Sequence, residues 1–199
     1  MSRRLRNRLA LAALAALLLT PLSRLARSID LAPHEYLDEE TAATVTVVAE
    51  PLVFANARTE LAANARDYVT FAAAAVNRGG KVNFVGIAYF WSTVDPRMRT
   101  DPLPAPEPLI LQADDRRIEL KLRGQSAHDA GIGVPTHAPP GPPVAPNVYG
   151  IDLPTLRFIA AARSLTLFAE SGGTLLSYRL WGDQRAALNA FVRHMNGED

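Results

Sequence analysis

Two apolar runs, residues 68–76 and 82–94, flank the five residues Asn77-Arg78-Gly79-Gly80-Lys81. Glycine accepts the positive φ of a tight hairpin turn without steric cost, so Gly79-Gly80 marks a turn between two strands. Closing the chain there pairs residues whose numbers sum to 159. One face then carries Val69/Phe90, Phe71/Ala88, Ala73/Gly86 and Ala75/Phe84; the other carries Tyr68/Trp91, Thr70/Tyr89, Ala72/Ile87 and Ala74/Val85. Large residues oppose small ones or other aromatics, which is how cross-strand pairs fill space.

Neither face is polar. A hairpin in a sheet with one wet side alternates apolar and polar residues. This one is expected to be interior, with a layer against each face. The run Ala72-Ala73-Ala74-Ala75 has poor strand propensity, so pairing with the rest of the fold must hold it extended. A helix across 57–76 is the competing reading, and the turn and the pairing favour the strand.

The flanking segments extend this pattern. Residues 43–55 read as one or two short strands, TVTVVA and PLVFA, broken by Glu50-Pro51, because proline cannot donate to a ladder. Residues 28–41 are polar, with Asp38-Glu39-Glu40 read as solvated, and 56–66 form a short helix or a loop. A second hairpin over 109–122 turns at Asp114-Asp115, with Leu109/Leu120 and Leu111/Ile118 facing inward. A third, over 164–181, turns at Gly172-Gly173, and a short strand is expected at 148–153. A helix starts at Asp152 or Leu153, with Pro154 in its first turn, and runs to Arg163. A final helix capped by Asp183 carries the stripe Leu188, Phe191, Val192 and Met195 and ends at Gly197. One of these two helices is expected to cover a face of the central hairpin. The predicted fold is mainly β: an antiparallel two-layer β-sandwich of seven to nine strands with two short helices, including the C-terminal amphipathic helix.

Residues 1–8 hold four arginines and no acid, and residues 9–19 are Leu and Ala only. That is the basic and short apolar pattern of a secretory signal, too short for a comfortable membrane span of about 20 residues. The expected organisation is a signal peptide, or N-terminal membrane anchor, over 1–28. A single β-rich domain then spans 29–199, with long loops at 95–108 and 124–146. The expected location is the periplasm, with inner-membrane anchoring as the alternative. Six of the 21 basic residues and none of the 20 acidic ones lie in 1–28, so the remaining domain carries about −5. Nucleic acid, which calls for clustered Lys and Arg, is therefore not an expected partner. With no cysteine there are no disulfides and no thiolate metal sites.

The four histidines are His34, His128, His137 and His194. His128, Asp129 and His137 come nearest to a metal-ligand set, but this proline-rich loop offers no helix to align three or four ligands. No cofactor, metal site or catalytic residue is predicted. Ser126 and His128 sit two apart without a G-x-S-x-G elbow. Trp91, Tyr89 and Tyr68 read as core residues rather than as a sugar-stacking platform. Geometry gives one positive inference. Loops 95–108 and 124–146 both leave the open end of the second hairpin, whose strands lie roughly 5 Å apart. They are expected to form one end of the domain, presenting Arg97, Arg99, His128, Asp129 and His137 as a partner surface.

The segments YLDEETAATVTVVAEPLVFA, ARDYVTFAAAAVNRGGKVNFVGIAYFWST and LPTLRFIAAARSL…YRLWGDQRAALNAF resemble those of small exported proteobacterial proteins without assigned function. The resemblance implies an envelope location and strand structure, and it transfers no functional residues. The expected function is a non-catalytic periplasmic or cell-envelope binding module whose partner is another envelope protein or envelope component. The alternatives are a metal-dependent or other hydrolase using loop 124–146, and an envelope assembly factor retained at the membrane by residues 1–28.

Overall fold

A computed structural model describes residues 31–99, 101–140 and 144–198. The expected signal or anchor over 1–28 lies outside them. Among the described residues, ten strands and two α-helices follow in order: β1 (His34–Asp38), β2 (Ala43–Val47), β3 (Leu52–Ala57), β4 (Arg66–Arg78) and β5 (Lys81–Ser92), then β6 (Leu109–Ala113), β7 (Arg116–Gly124) and β8 (Asn147–Gly150). Helix α1 (Leu153–Ala161), β9 (Leu165–Ser171), β10 (Thr174–Gly182) and α2 (Arg185–Met195) complete the chain.

The central hairpin is β4–β5, in the register that the paired glycines specify, from Asp67↔Ser92 to Arg78↔Lys81. Both glycines of the turn have positive φ. The second and third hairpins also keep their expected registers, Leu109↔Leu120 and Leu167↔Tyr178.

The two-layer sandwich is overturned by the pairing between hairpins. Strand β5 pairs with β8, β8 with β7, β7 with β6, β6 with β9, β9 with β10, β10 with β3 and β3 with β4. These eight antiparallel strands return to their starting point and form a closed barrel. The closing piece is β8, only four residues long, which hydrogen-bonds β5 along one edge and β7 along the other. Closure removes the exposed strand edges that a sandwich would have to protect.

Closure also explains why both faces of the central hairpin are dry. The inward face lines the barrel, which is filled by Phe54, Phe71, Phe90, Tyr149, Leu167 and Tyr178. Gly86 leaves space for the Phe71 ring, since a Cβ there would lie 2.6 Å from Cε2 and Cζ. The outward face, Ala74, Val76, Val85, Ile87 and Tyr89, is extended sideways by Val45 and Val47 of β2 and shares an apolar cluster with Ala127, Ala130 and Ile132 of the segment after β7. Strand β4 is long enough to pair with β3 in its first half and β2 in its second, on either side of the break at Glu50-Pro51.

Of the run Asp38-Glu39-Glu40, Glu39 and Glu40 are exposed as expected and Asp38 is not, and the polar residues 34–38 are a strand. They form β1, paired with β2 from His34↔Val47 to Asp38↔Ala43. The Asp38 carboxylate is buried and accepts the backbone N–H groups of Gly133, Glu40 and Thr41, which hold it below the ordinary carboxylate range.

The two helices pack against each other and close one end of the barrel with Leu156, Ile159, Leu188, Phe191 and Val192. Leu188 belongs to the same buried cluster as Leu52, Phe71 and Ala73 and lines one small void with them, so the hairpin's inner face is covered from the end rather than by a separate layer. Asp152 caps α1 by accepting the Thr155 N–H at 2.8 Å, with Pro154 in the first turn. The expected cap of α2 is displaced by one residue. Gln184 occupies the cap position without a side-chain bond, and Asp183 accepts the Arg185 N–H at 3.2 Å.

No helix among the described residues is long and apolar enough to cross a membrane. The barrel has an apolar interior, while β7 turns Arg117, Glu119, Lys121 and Arg123 outward.

Candidate functional site

The end of the barrel opposite the helices carries a buried ionic cluster. Asp67 has the same parity along β4 as Val69 and Phe71, so its carboxylate points into the barrel. Its side chain is 1% exposed. Arg58, in the turn after β3, donates to Asp67 Oδ2 at 2.6 Å and to Asp101 Oδ1 at 2.9 Å. Arg99 donates to both Asp67 oxygens, at 2.5 and 3.2 Å, and to Ser92 Oγ at 3.0 Å. Burial alone would raise the Asp67 pKa; the bonds from Arg99, Ser92 and Arg58 hold it below the usual value. The Tyr178 hydroxyl, raised by burial and then by the Asp67 charge, lies in the interior with no hydrogen-bond partner among the described residues.

This cluster fixes the loop between β5 and β6 across the barrel end. Further along, Pro102 O accepts from Ser171 Oγ at 3.0 Å, and Ala105 N donates to Glu170 O at 2.7 Å. Tyr149 donates to Pro106 O at 2.6 Å, and Glu107 accepts from Leu122 N at 3.0 Å. A cleft of about 1020 Å³ opens beside the pinned loop, lined among others by Trp91, Val94, Arg97, Leu103, Pro140 and Val144. Trp91 is itself fixed: it stacks on Tyr68 with ring centroids 4.2 Å apart, and its Nε1–H donates to Thr70 Oγ1 at 2.9 Å. Met98 and Leu103 expose 59% and 38% of their surface on the same loop.

The five residues expected to share one surface are distributed differently. Arg97 is exposed in the cleft, and its guanidinium forms no ion pair among the described residues. Arg99 reaches the same cleft with its guanidinium committed to Asp67 and Ser92, so it is a structural group. Residues 125–140 start beside this end, as expected, but then fold back over the outer wall of β4 and β5. Its His128 Nε2 lies 2.8 Å from Glu40 Oε1. Asp129 closes a capping box by accepting the Ser126 and Gln125 N–H groups, both at 2.9 Å. His137 donates from Nε2 to Val48 O at 2.7 Å, with a positive φ of 55°.

Glu40 lies just before β2, which meets β4 at Thr44↔Asn77, whereas Arg99 holds Asp67. Asp67 and Asn77 are ten residues apart on β4, roughly 33 Å of extended strand. Arg97 and His128 therefore serve different parts of the molecule. Among the described residues, no three His, Cys, Asp or Glu side chains are grouped to hold a metal ion.

His137 makes the outer cover sensitive to acid. Burial lowers its pKa from 6.5, and the nearby His34 adds to this, against the opposing effects of the Val48 carbonyl and Glu50. The unfolded chain binds this proton first as pH falls, so stability declines from about pH 6.5 down to the folded-state pKa. The urea midpoint of the wild type is expected to drop between pH 7.5 and pH 5, and His137→Gln to flatten that slope. An equal slope in the variant would remove His137 from the account.

Extending the hairpin's alternation by one pair puts Asp67 on the face of Val69 and Phe71, a signal that sequence reasoning left unused, and nothing in the sequence paired it with Arg58 and Arg99. Trp181, 61% exposed at the end of β10, was likewise legible as outward from the third hairpin's register. No protein-family model, no curated protein and no solved structure matches this chain.

Proposed function

We propose that the protein is a non-catalytic binding module of the cell envelope, and that the cleft at the loop end takes a segment of another envelope protein. The observation that carries this reading is the cleft itself. It is lined in part by Trp91, Val94 and Leu103, together with Arg97, which has no ion-pair partner among the described residues. Apolar walls with a few placed polar groups characterise ligand sites, and loops on a rigid scaffold commonly supply them. The ionic cluster below and the hydrogen bonds to Pro102, Ala105 and Pro106 preorganise the loop, which lowers the entropic cost of binding. A partner segment that places an apolar side chain against Trp91 and a carboxylate on Arg97 fits this lining. Export is supported by the signal-like residues 1–28.

The hydrolase reading draws less support. Asp129 is occupied in a capping box and His137 in anchoring the outer cover to Val48.

Capture of partners from a native envelope fraction tests the proposal. Arg97→Glu and Leu103→Asp are each expected to lower recovery of the captured protein by roughly tenfold, as loss of one interface anchor does. Both side chains are exposed, so thermal unfolding should stay within about 0.5 kcal/mol of wild type. Unchanged capture by both variants would rule out this cleft as the binding site.

A further inference from the structure

A second surface lies on the outer wall and adjoins the cleft at Trp91, with its distinguishing groups Trp181, Arg66 and Arg179 outside the cleft lining. Four neighbouring strands place Trp91, Tyr68, Ala55 and Arg179 in one row, through the pairs Tyr68↔Trp91, Ala55↔Tyr68 and Arg179↔Ala55. At about 4.8 Å between strands the row is roughly 14 Å long. The register of β10 against β3 then shifts between Leu180 and Gly182, so Trp181 is the extra residue of a β-bulge. Bulges re-aim side chains, and here the indole stands out from the wall, 61% exposed. Gly182 permits this geometry, because a Cβ there would crowd Val53 at 3.2–3.3 Å.

Charge tells what the wall would accept. The Arg66 guanidinium sits 4.6 Å from the Trp181 ring centroid, a cation–π contact that holds both groups in place. Neither Arg66 nor Arg179 forms an ion pair among the described residues. No acidic residue belongs to the row, and the acid on the neighbouring strand, Glu170, pairs with Leu175, four residues from Arg179. Two guanidinium groups beside an exposed indole, with small Ala55 between the aromatics, make an anion-seeking stacking platform. Two charges on an otherwise acidic domain suit sparsely spaced carboxylates better than the dense phosphates of nucleic acid. Membrane docking needs side chains that sink about 5–10 Å into the headgroup region. Tyr68 and Trp91 lie stacked and half-buried against the wall, so Trp181 alone of these aromatics stands out, with no neighbouring aromatic to sink beside it.

We propose that this wall binds an acidic polysaccharide strand: a sugar ring stacks on Trp181, and its carboxylates pair with Arg66 and Arg179. The proposal is independent of the cleft, because its test leaves Arg97 and Leu103 untouched. Calorimetric titration of the full chain with an oligogalacturonate is the experiment. A neutral oligogalactoside and vesicles of phosphatidylglycerol with phosphatidylethanolamine serve as the other arms. The wild type is expected to bind the oligogalacturonate, more weakly as salt rises. Trp181→Ala should weaken that binding by roughly tenfold or more, as loss of a stacking platform does, while Trp181→Phe retains most of it. Arg66→Gln with Arg179→Gln should weaken it similarly and flatten the salt dependence. Any of four results overturns the proposal: no binding by the wild type, equal binding of the neutral oligomer, binding of vesicles only, or undiminished binding by Trp181→Ala with wild-type thermal stability.

Discussion

Asp67→Ala is expected to destabilise the domain by roughly 3–5 kcal/mol, the cost of leaving buried cations without their counter-charge. Two guanidinium groups, those of Arg58 and Arg99, converge on this carboxylate, whose side chain is 1% exposed. In a domain of this size each kcal/mol moves the melting midpoint by about 2–4 °C, so a fall on the order of 10 °C follows. Arg99→Ala removes the loop's main tie and should cost a comparable amount. The double variant should cost less than the sum, because the two changes delete one interaction. The carboxylates of Asp67 and Asp101 are both held below the ordinary value of 3.8. Their contribution is therefore complete above about pH 4 and is lost as pH falls through the folded-state values. Thermal melts of the three variants check this. A loss below about 1 kcal/mol for Asp67→Ala would mean that water reaches the cluster and that the loop is held by other contacts.

Phe71→Ala should cost a similar amount, roughly 3–5 kcal/mol, through lost burial and the cavity left behind. The ring is 2% exposed and fills the barrel against the bare backbone of Gly86. The reciprocal change, Gly86→Ala, brings a methyl to 2.6 Å from two ring carbons and should cost about 1–3 kcal/mol by overpacking. Each penalty depends on the other residue, so Phe71→Leu should relieve part of the Gly86→Ala cost. A double-mutant cycle by urea denaturation measures that coupling. Strict additivity would mean that the two residues do not meet inside the barrel.

The sequence carried the local pairings well and the global closure poorly. Gly79-Gly80 fixes the β4–β5 register because the turn admits few loop lengths, and the same holds for Asp114-Asp115 and Gly172-Gly173. Closure instead depends on β5–β8, β7–β8, β6–β9 and β3–β10, pairs of strands that no short turn joins. A hairpin dry on both faces is equally compatible with a sandwich centre and with a barrel stave under an outer cover, so the pattern alone favoured the commoner arrangement. The cover had a signal, though. Ala127, Ala130 and Ile132 place apolar side chains in a proline-rich loop, and the second dry face of the hairpin needed exactly such a partner. With that recognised, His128 and His137 follow the loop onto the wall and leave Arg97 at the cleft. The separation of Arg97 from Arg99 was legible only through Asp67, an inward carboxylate that demanded a cation.

Amide hydrogen exchange along β8 tests barrel closure most directly. Successive residues of an antiparallel strand direct their N–H groups to opposite neighbours, so Val148 and Tyr149 report on different sides of the seam. With β5 on one side and β7 on the other, both amides should exchange only through global unfolding, as slowly as those of Phe71 or Leu111. If one of the two exchanges at the rate of a solvent-facing edge strand while its neighbour stays protected, the sheet is open at β8 and the barrel does not exist.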